Sequence, residues 1–416
     1  MNKKNIIVVG GGAAGMMAAL TASMNGASVT LIEKNEKLGK KVFITGKGRC
    51  NVTNAGETSD FFDSVISNSK FLYSSIYGFD AFSVMELLEK NGCKLKVERG
   101  NRVFPISDHS SDIIKTFENS LKNHKVKIIK KTSVSGLIIN NDDDEKNVSG
   151  IILDDGTNIM ADSVILATGG LSYPSTGSDG NFFKVLRNNE ILVTKMYPGL
   201  VPLVTEDLCC EKLMGLSLKN VSLDLYIGKK KIYSGFGEML FTHFGISGPL
   251  VLTASSIYSS KYNSQKARAV IDLKPALTFE KLNNRLIREF EENSNKDIIK
   301  VIENLVPKSL APIICERVGI DFHKKVNIVN ANERNAIINI LKNFEFNITG
   351  TRGFDEAIIT IGGVSVKDIN PSTMESKVIE NLYFCGEVLD IDALTGGYNL
   401  QIAWSTGHLA GESAAQ

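Results

Sequence analysis

The chain has 416 residues, with 47 Lys and Arg against 46 Asp and Glu, a formal net charge of +1 and 43 % hydrophobic residues. That length allows two or three domains, and the near-neutral balance argues against a surface built to coat nucleic acid. Six cysteines, none spaced as Cys-x-x-Cys, give neither a disulfide scaffold nor a zinc knuckle nor a thioredoxin-type pair, and Cys209-Cys210 reads as two reduced thiols.

The opening MNKKNIIVVGGG has an apolar run of only Ile6 to Val9, too short for a signal-peptide core. No stretch reaches ~18 uninterrupted apolar residues, so no membrane span is expected and the protein is expected in the cytoplasm. The run Ile6 to Val9 reads as a buried parallel strand. Ala13 to Met24 reads as a helix with Ala14, Ala18 and Ala22 toward that strand, and Ser28 to Ile32 as a second strand ending at Glu33. Gly10, Gly12 and Gly15 therefore fit G-x-G-x-x-G in its strand–turn–helix setting, with Glu33 near the ~20-residue spacing of a ribose ligand. Gly10 permits the tight turn, Gly12 lets backbone reach a diphosphate, and Gly15 lets helix and strand pack closely. The helix N-terminus offers free N–H groups to the anion. A carboxylate at position 33 accepts from ribose hydroxyls and repels a 2′-phosphate, leaving FAD or NAD.

Further along, KVKIIKK and SVSGLIIN (within 125–140), Ser149 to Leu153 and Ser163 to Ala167 read as strands, with NNDDDEKN (140–147) as a hairpin tip. The strand at 163 runs into Ala167-Thr168-Gly169-Gly170. Near the C-terminus LYFCGE is another apolar strand, ending at Gly386 and Glu387. Gly386 would bring backbone near the diphosphate, and Glu387 would accept from a ribityl hydroxyl. Thr395-Gly396-Gly397-Tyr398-Asn399-Leu400 then opens a last helix running to about Glu412, whose N–H groups can face a developing negative charge on the flavin. The cofactor site is thus written in pieces: Gly10, Gly12, Ala14 and Gly15; Glu33 and Lys34; Val134; Thr168 and Gly169; Gly386 and Glu387; Gly397, Asn399 and Leu400. Contacts so dispersed suit the long FAD better than NAD. The expected fold is α/β, a Rossmann-like, glutathione-reductase-like FAD-binding fold with an inserted cap. The FAD-binding domain takes 1–190 and 356–416, a β-rich insert 191–277 and 345–355, and a helical subdomain of amphipathic segments 278–344.

The stretches GKKVFITGKGRCNVTN, ILATGGLSYPSTGSDG, GEMLFTHFGISGPLVL and LYFCGEVLDIDALTGGYNLQ resemble the HI0933-like flavoproteins, also described as BaiN/RdsA-type FAD-dependent oxidoreductases, and the resemblance runs from residue 6 to 411. It implies FAD as cofactor and a GKGRCNVTN loop lying along it. Lys40, Lys41 and Arg49 would then neutralise the diphosphate, and Asn51 would reach the flavin side. Cys50 reads as a packed thiol.

No second G-x-G-x-x-G unit is found, so NAD(P)H, if it is the donor, binds transiently. Three activities compete: the resemblance implies reduction by NAD(P)H of an enone C=C in a steroid- or bile-acid-like small molecule, and then oxidation of an amine such as aminoacetone by O2; the third is a flavin-containing protein that modifies or binds nucleic acid, which the charge balance disfavours. Tyr173, His243 and Tyr398 are candidates for a catalytic proton donor. No metal site is expected.

Overall fold

The computed structural model describes residues 3–142, 145–262 and 265–416. They form two compact units, one of residues up to Pro198 together with Ala357–Gln416, the other Gly199–Glu356.

The first unit is built on five parallel strands. In spatial order they are Leu382–Phe384, Ser163–Leu166, Asn5–Val9, Ser28–Glu33 and Lys127–Lys130. Numbered along the chain, the order is 5-4-1-2-3, the Rossmann arrangement in which strand order reverses beside the first strand. Continuous apolar runs make this possible: Ile6, Ile7, Val8 and Val9, like Val164, Ile165 and Leu166, are buried, as parallel strands covered on both faces require. The helix Ala13–Met24 packs on this sheet and buries nine consecutive residues, Ala14 to Ala22. The C-terminal helix Tyr398–Ala415 lies against it at backbone distance. A Cβ on Gly407 would stand 2.5 Å from the Ala14 carbonyl oxygen, and one on Gly411 would stand 2.4 Å from that of Ala18.

Two antiparallel sheets complete the unit: Val134–Asp142, Glu145–Leu153 and Asn158–Met160, and Thr53–Asn54, Arg102–Pro105 and Leu95–Glu98. The hairpin expected around NNDDDEKN pairs Asp142 with Glu145, and its tip, residues 143 and 144, lies outside the described residues. The GKGRCNVTN loop is fastened to the C-terminal helix. Trp404 Nε1 donates to the Val52 carbonyl at 3.0 Å, and Thr53 Oγ1 donates to Gln401 Oε1 at 2.6 Å. Trp404 itself is fully buried, stacked on Phe117 with centroids 5.1 Å apart.

The second unit is a closed six-stranded barrel, in spatial order Leu203–Thr205, Gly245–Ser247, Lys230–Thr242, Ser217–Ile227, Ala267–Asp272 and Phe344–Thr351. Four helices, Phe279–Glu292, Ile298–Glu303, Ala311–Val318 and Ala331–Lys342, occupy the stretch between its last two strands. The β-rich reading of 191–277 does not anticipate the helix Pro249–Tyr262. Its sequence, PLVLTASSIYSSKY, puts a proline at the first helical position and buries Leu250, Ala254 and Tyr258 at helical spacing.

Candidate cofactor and active site

In an open parallel sheet a ligand sits beyond the carboxyl ends of the strands where the order reverses. Here that point lies between Val9, which runs into Gly10, and Leu166, which runs into Ala167. A cavity of about 710 Å³ opens there and is lined by both loops, within the range of small-molecule and cofactor pockets.

Each piece foreseen in the sequence contributes to this one space. Gly10, Gly12 and Ala14 line it, as do Glu33, Lys34, Lys40 and Lys41; so do Val134, Thr168, Gly169, Glu387, Asn399 and Leu400. The first residues of both the Ala13–Met24 helix and the Tyr398–Ala415 helix therefore border the same cavity. Gly12 has nothing within 4 Å of where its Cβ would stand, so the space beside it is free for a ligand. The Ser178 hydroxyl, on a lining residue, is buried with no hydrogen-bond partner among the described residues. An open glycine cradle, an orphaned hydroxyl and a buried carboxylate suit an adenine dinucleotide: Gly12 and the helix N-terminus would hold the diphosphate of FAD, and Glu33 its ribose.

Glu33 is 7 % exposed. Its Oε2 accepts from the Gly11 amide at 2.7 Å, and its Oε1 accepts from Asn35 N at 2.8 Å and Nδ2 at 2.6 Å. The carboxylate thus braces the glycine turn as well as facing the cavity. The lysines are not idle either. Lys34 pairs with Asp179 at 2.8 Å and Lys40 with Glu36 at 3.7 Å. Lys41 Nζ donates to Glu387 Oε2 and to Ser172 Oγ, both at 2.5 Å. Glu387 Oε1 accepts from Ser172 Oγ at 2.7 Å and from the Thr360 amide at 2.8 Å. A ribityl hydroxyl would share Glu387 with these donors.

Five expected residues do not line the cavity. Arg49 pairs with Glu98 and Asp108, both at 2.5 Å, and lies over the Phe104 ring at 4.1 Å. Two carboxylates and an aromatic face outcompete an open anion site for one guanidinium. Asn51 leaves its Oδ1 buried and unpaired among the described residues. Gly15, Gly386 and Gly397 serve close approach instead: their Cβ atoms would stand 1.8 Å from Gly10 O, 2.6 Å from Ala14 Cβ and 2.5 Å from the Thr53 carbonyl carbon. Of the proton-donor candidates, Tyr398 opens the helix that brings Asn399 and Leu400 to the cavity, and Tyr173 adopts a left-handed φ of 52° beside Ser172. His243 is exposed in the second unit, edge-on to Phe244. Ser172 and Thr360, which join Lys41 and Glu387, and the lining segment 176–185 had no place among the expected site residues; GLSYPSTGSDG was the available signal for both Ser172 and Ser178. All six cysteines are buried and free, and burial pushes Cys50 up to about 12, which makes it an inert thiol. Among the described residues no acidic, histidine and cysteine cluster could hold a metal.

Beside the lining residue Ile391, Asp392 is fully buried and its carboxylate makes no hydrogen bond among the described residues. Burial, aided by neighbouring Asp390 and only partly offset by Ser67, raises it from 3.8 to about 6. The folded protein keeps this proton where the unfolded chain has released it. Stability from this group is therefore complete below pH ~4 and lost as pH rises through about 6. Asp392→Asn is expected to melt higher than wild type above pH 6, by of order 2–3 kcal/mol in stability, with the gap closing toward pH 4. Thermal melts across pH 4–7.5 measure it, and a gap independent of pH would refute the assignment.

Comparison with known proteins agrees with this geometry. Residues 4–413 match the family described as HI0933-like protein Rossmann domain. A 3-dehydro-bile acid delta(4,6)-reductase from Clostridium scindens is 30 % identical over 421 residues, covering 98 % of each chain. A ribosomal RNA dihydrouridine synthase from Haemophilus influenzae is 30 % identical over 406 residues, covering 97 % of this chain and 96 % of its own. Among solved structures, a 3-ketosteroid delta1-dehydrogenase from Sterolibacterium denitrificans has a TM-score of 0.51 at 14 % identity, with all of both chains covered. A flavocytochrome c3 fumarate reductase has a TM-score of 0.50 at 18 % identity, covering all of this chain and 78 % of its own. At such identities these two structures speak for the fold. With its nucleotide cradle at the switch point and its family match over nearly the whole length, the chain belongs to the HI0933-like family of FAD-dependent oxidoreductases.

Proposed function

We propose that the protein reduces a C=C bond conjugated to a carbonyl, with FAD as cofactor and NAD(P)H as electron source. The observation that carries this is the likeness, over 98 % of both chains, to a reductase whose name places its double bonds in conjugation with a 3-oxo group. The dihydrouridine relatives point to the same chemistry, because dihydrouridine is uridine with its C5=C6 bond, conjugated to the C4 carbonyl, saturated. Bound FAD supplies hydride chemistry. The protein's part is to orient the substrate, exclude water and place a proton. Tyr398, at the start of the helix bordering the cavity, is the donor best situated for that proton.

The substrate class we favour is a small enone of the 3-oxo-4-ene steroid kind. A second reading, a uracil base in RNA, is favoured by the two relatives named ribosomal RNA dihydrouridine synthase, and a net charge of +1 does not exclude it. The test is anaerobic. Reduced flavoprotein, prepared by light or by NADH or NADPH, is mixed with a 3-oxo-4-ene steroid, with uridine-containing RNA or with air-saturated buffer. Rapid reoxidation by the steroid is expected. Reoxidation by RNA alone establishes the second reading. Rapid reoxidation by O2 with neither acceptor active would refute both and leave an oxidase.

A further inference from the structure

Five aromatic rings run in continuous contact from Tyr398, the residue before two that line the cavity, to the surface of the first unit. Tyr398, which opens the helix whose next two residues line the cavity, meets Phe61 edge-on at 5.9 Å. Phe61 meets Phe62 at 5.5 Å, and Phe62 meets Tyr73 at 4.7 Å and Tyr77 at 5.7 Å. Exposure climbs outward, from 7 % at Phe61 to 48 % at Tyr73 and 67 % at Tyr77. Two large rings left in water side by side, Tyr73 and Tyr77, on a half-buried aromatic base are an interaction surface more often than an accident of packing.

The inner end of the row is tied to the cavity wall. Val65 bridges Ala393, the Ile66 amide donates to the Asp392 carbonyl at 2.8 Å, and the Leu394 amide donates to the Ser64 carbonyl at 2.8 Å. Asn68 Nδ2 donates to the Asp390 carbonyl at 2.6 Å. The segment 64–68 is thereby laced to 390–394, which contains the lining residue Ile391. A backbone seam, not a loose loop, thus ties the segment that follows Phe61 and Phe62 to a stretch of the cavity wall.

The charges around the rings choose the occupant. Between residues 58 and 81 the chain carries Asp60, Asp63 and Asp80 against the single cation Lys70. Asp60 and Asp63 stand on the same short helix as Phe61 and Phe62, TSDFFD. A phosphate backbone is bound by an excess of Lys and Arg, and this surface has the opposite excess. What fits is a flat, neutral, largely apolar ring system that lies on aromatic faces and needs no counter-charge.

We propose that the Tyr398–Phe61–Phe62–Tyr73–Tyr77 row is the binding track for a neutral polycyclic enone, which it delivers ring-first to the cofactor cavity. This rests on the conjugated-carbonyl reading above and narrows it to the neutral small-molecule substrate.

The test uses the FAD-loaded full chain and the double variant Tyr73→Ser/Tyr77→Ser. Both rings are well exposed, so fold, FAD content and melting temperature are expected to hold. Equilibrium dialysis of radiolabelled 4-androstene-3,17-dione against oxidised protein reads binding without turnover. The variant is expected to bind about five-fold or more weakly, and KM for the same enone to rise by a similar factor with kcat little changed. Wild-type protein that binds no steroid, or a variant that binds it as tightly as wild type, overturns the track. If binding weakens in the variant but neither protein reduces the enone, the track stands and the reductase reading fails. If both reduce it with equal KM, the reductase reading stands and the track fails. Loss in the variant of binding to a uridine-rich oligoribonucleotide, or a changed sedimentation coefficient, would assign the rings to RNA or to a second copy of the chain and refute the neutral occupant.

Discussion

Replacing Gly15 with alanine will strip the protein of its cofactor and lower its melting temperature. The added Cβ would stand 1.8 Å from the Gly10 carbonyl oxygen and 3.2 Å from Ala167 Cβ. Backbone cannot swing aside as a side chain can, so the helix must lift from the turn that cradles the diphosphate. Overpacking costs typically 1–3 kcal/mol, and a clash with backbone belongs at or above the top of that range, or about 6–10 °C in a unit of this size. Gly12→Ala is the informative control. Gly12 has an extended backbone (φ −80°, ψ −168°) and open space around its Cβ. Its apo form is expected to melt like wild type while binding FAD weakly, because the methyl takes ligand space. Scanning fluorimetry of both apo proteins separates the two effects. A Gly15→Ala apoprotein melting within a degree of wild type would show that the close approach is not required.

Glu33→Ala should weaken FAD binding by roughly 1.5–3 kcal/mol, or about 10- to 150-fold in Kd, the scale of charge-assisted hydrogen bonds lost from a buried site. The loss has two sources. One is the bond to ribose. The other is the Gly11 amide, which Glu33 Oε2 holds at 2.7 Å and which would be left buried and unpaired at the turn. Glu33→Gln therefore rescues only part, since its single amide oxygen can accept from Gly11 or from Asn35 but not from both. Titration of the apoproteins by flavin fluorescence gives both constants. Unchanged affinity in Glu33→Ala would remove Glu33 from the site.

The cradle was legible because its physics is local. A strand, a glycine turn, a helix and an acid follow one another within 30 residues, and each has its own signature: the apolar run Ile6 to Val9, Gly10 with a φ of 104°, the small residues of the helix, and Glu33 at the end of the next strand. Partnerships between distant residues were not legible. Lys41 reads as a diphosphate cation, and nothing near it in sequence announces Glu387, 346 positions on, which it pairs with in the fold. The same holds for Arg49: Glu98 and Asp108 reach it from a strand and a turn that only tertiary structure brings near. GKGRCNVTN has a structural role beside its expected cofactor role. Lys47 and Cys50 take left-handed backbone angles, both with φ 59°, and Val52, Thr53 and Asn54 hand hydrogen bonds to or from the C-terminal segment. The helix Pro249–Tyr262 escaped because serine, threonine and β-branched residues fill it, and only its buried spacing of four marks it as helical.

The outermost strand on one side of the parallel sheet, Leu382–Phe384, is made last, and it pairs with Ser163–Leu166, which leaves the ribosome far earlier. All six barrel strands, from Leu203–Thr205 to Phe344–Thr351, lie between them in sequence and can close on one another first. At ordinary rates of synthesis the nascent chain spends on the order of tens of seconds with an apolar strand edge unpaired and half of its nucleotide cradle missing. Every polypeptide that stalls or is cut within the insert thus lacks Glu387, Asn399 and Leu400 from the wall of the cavity, and only chains that pass this point can complete it.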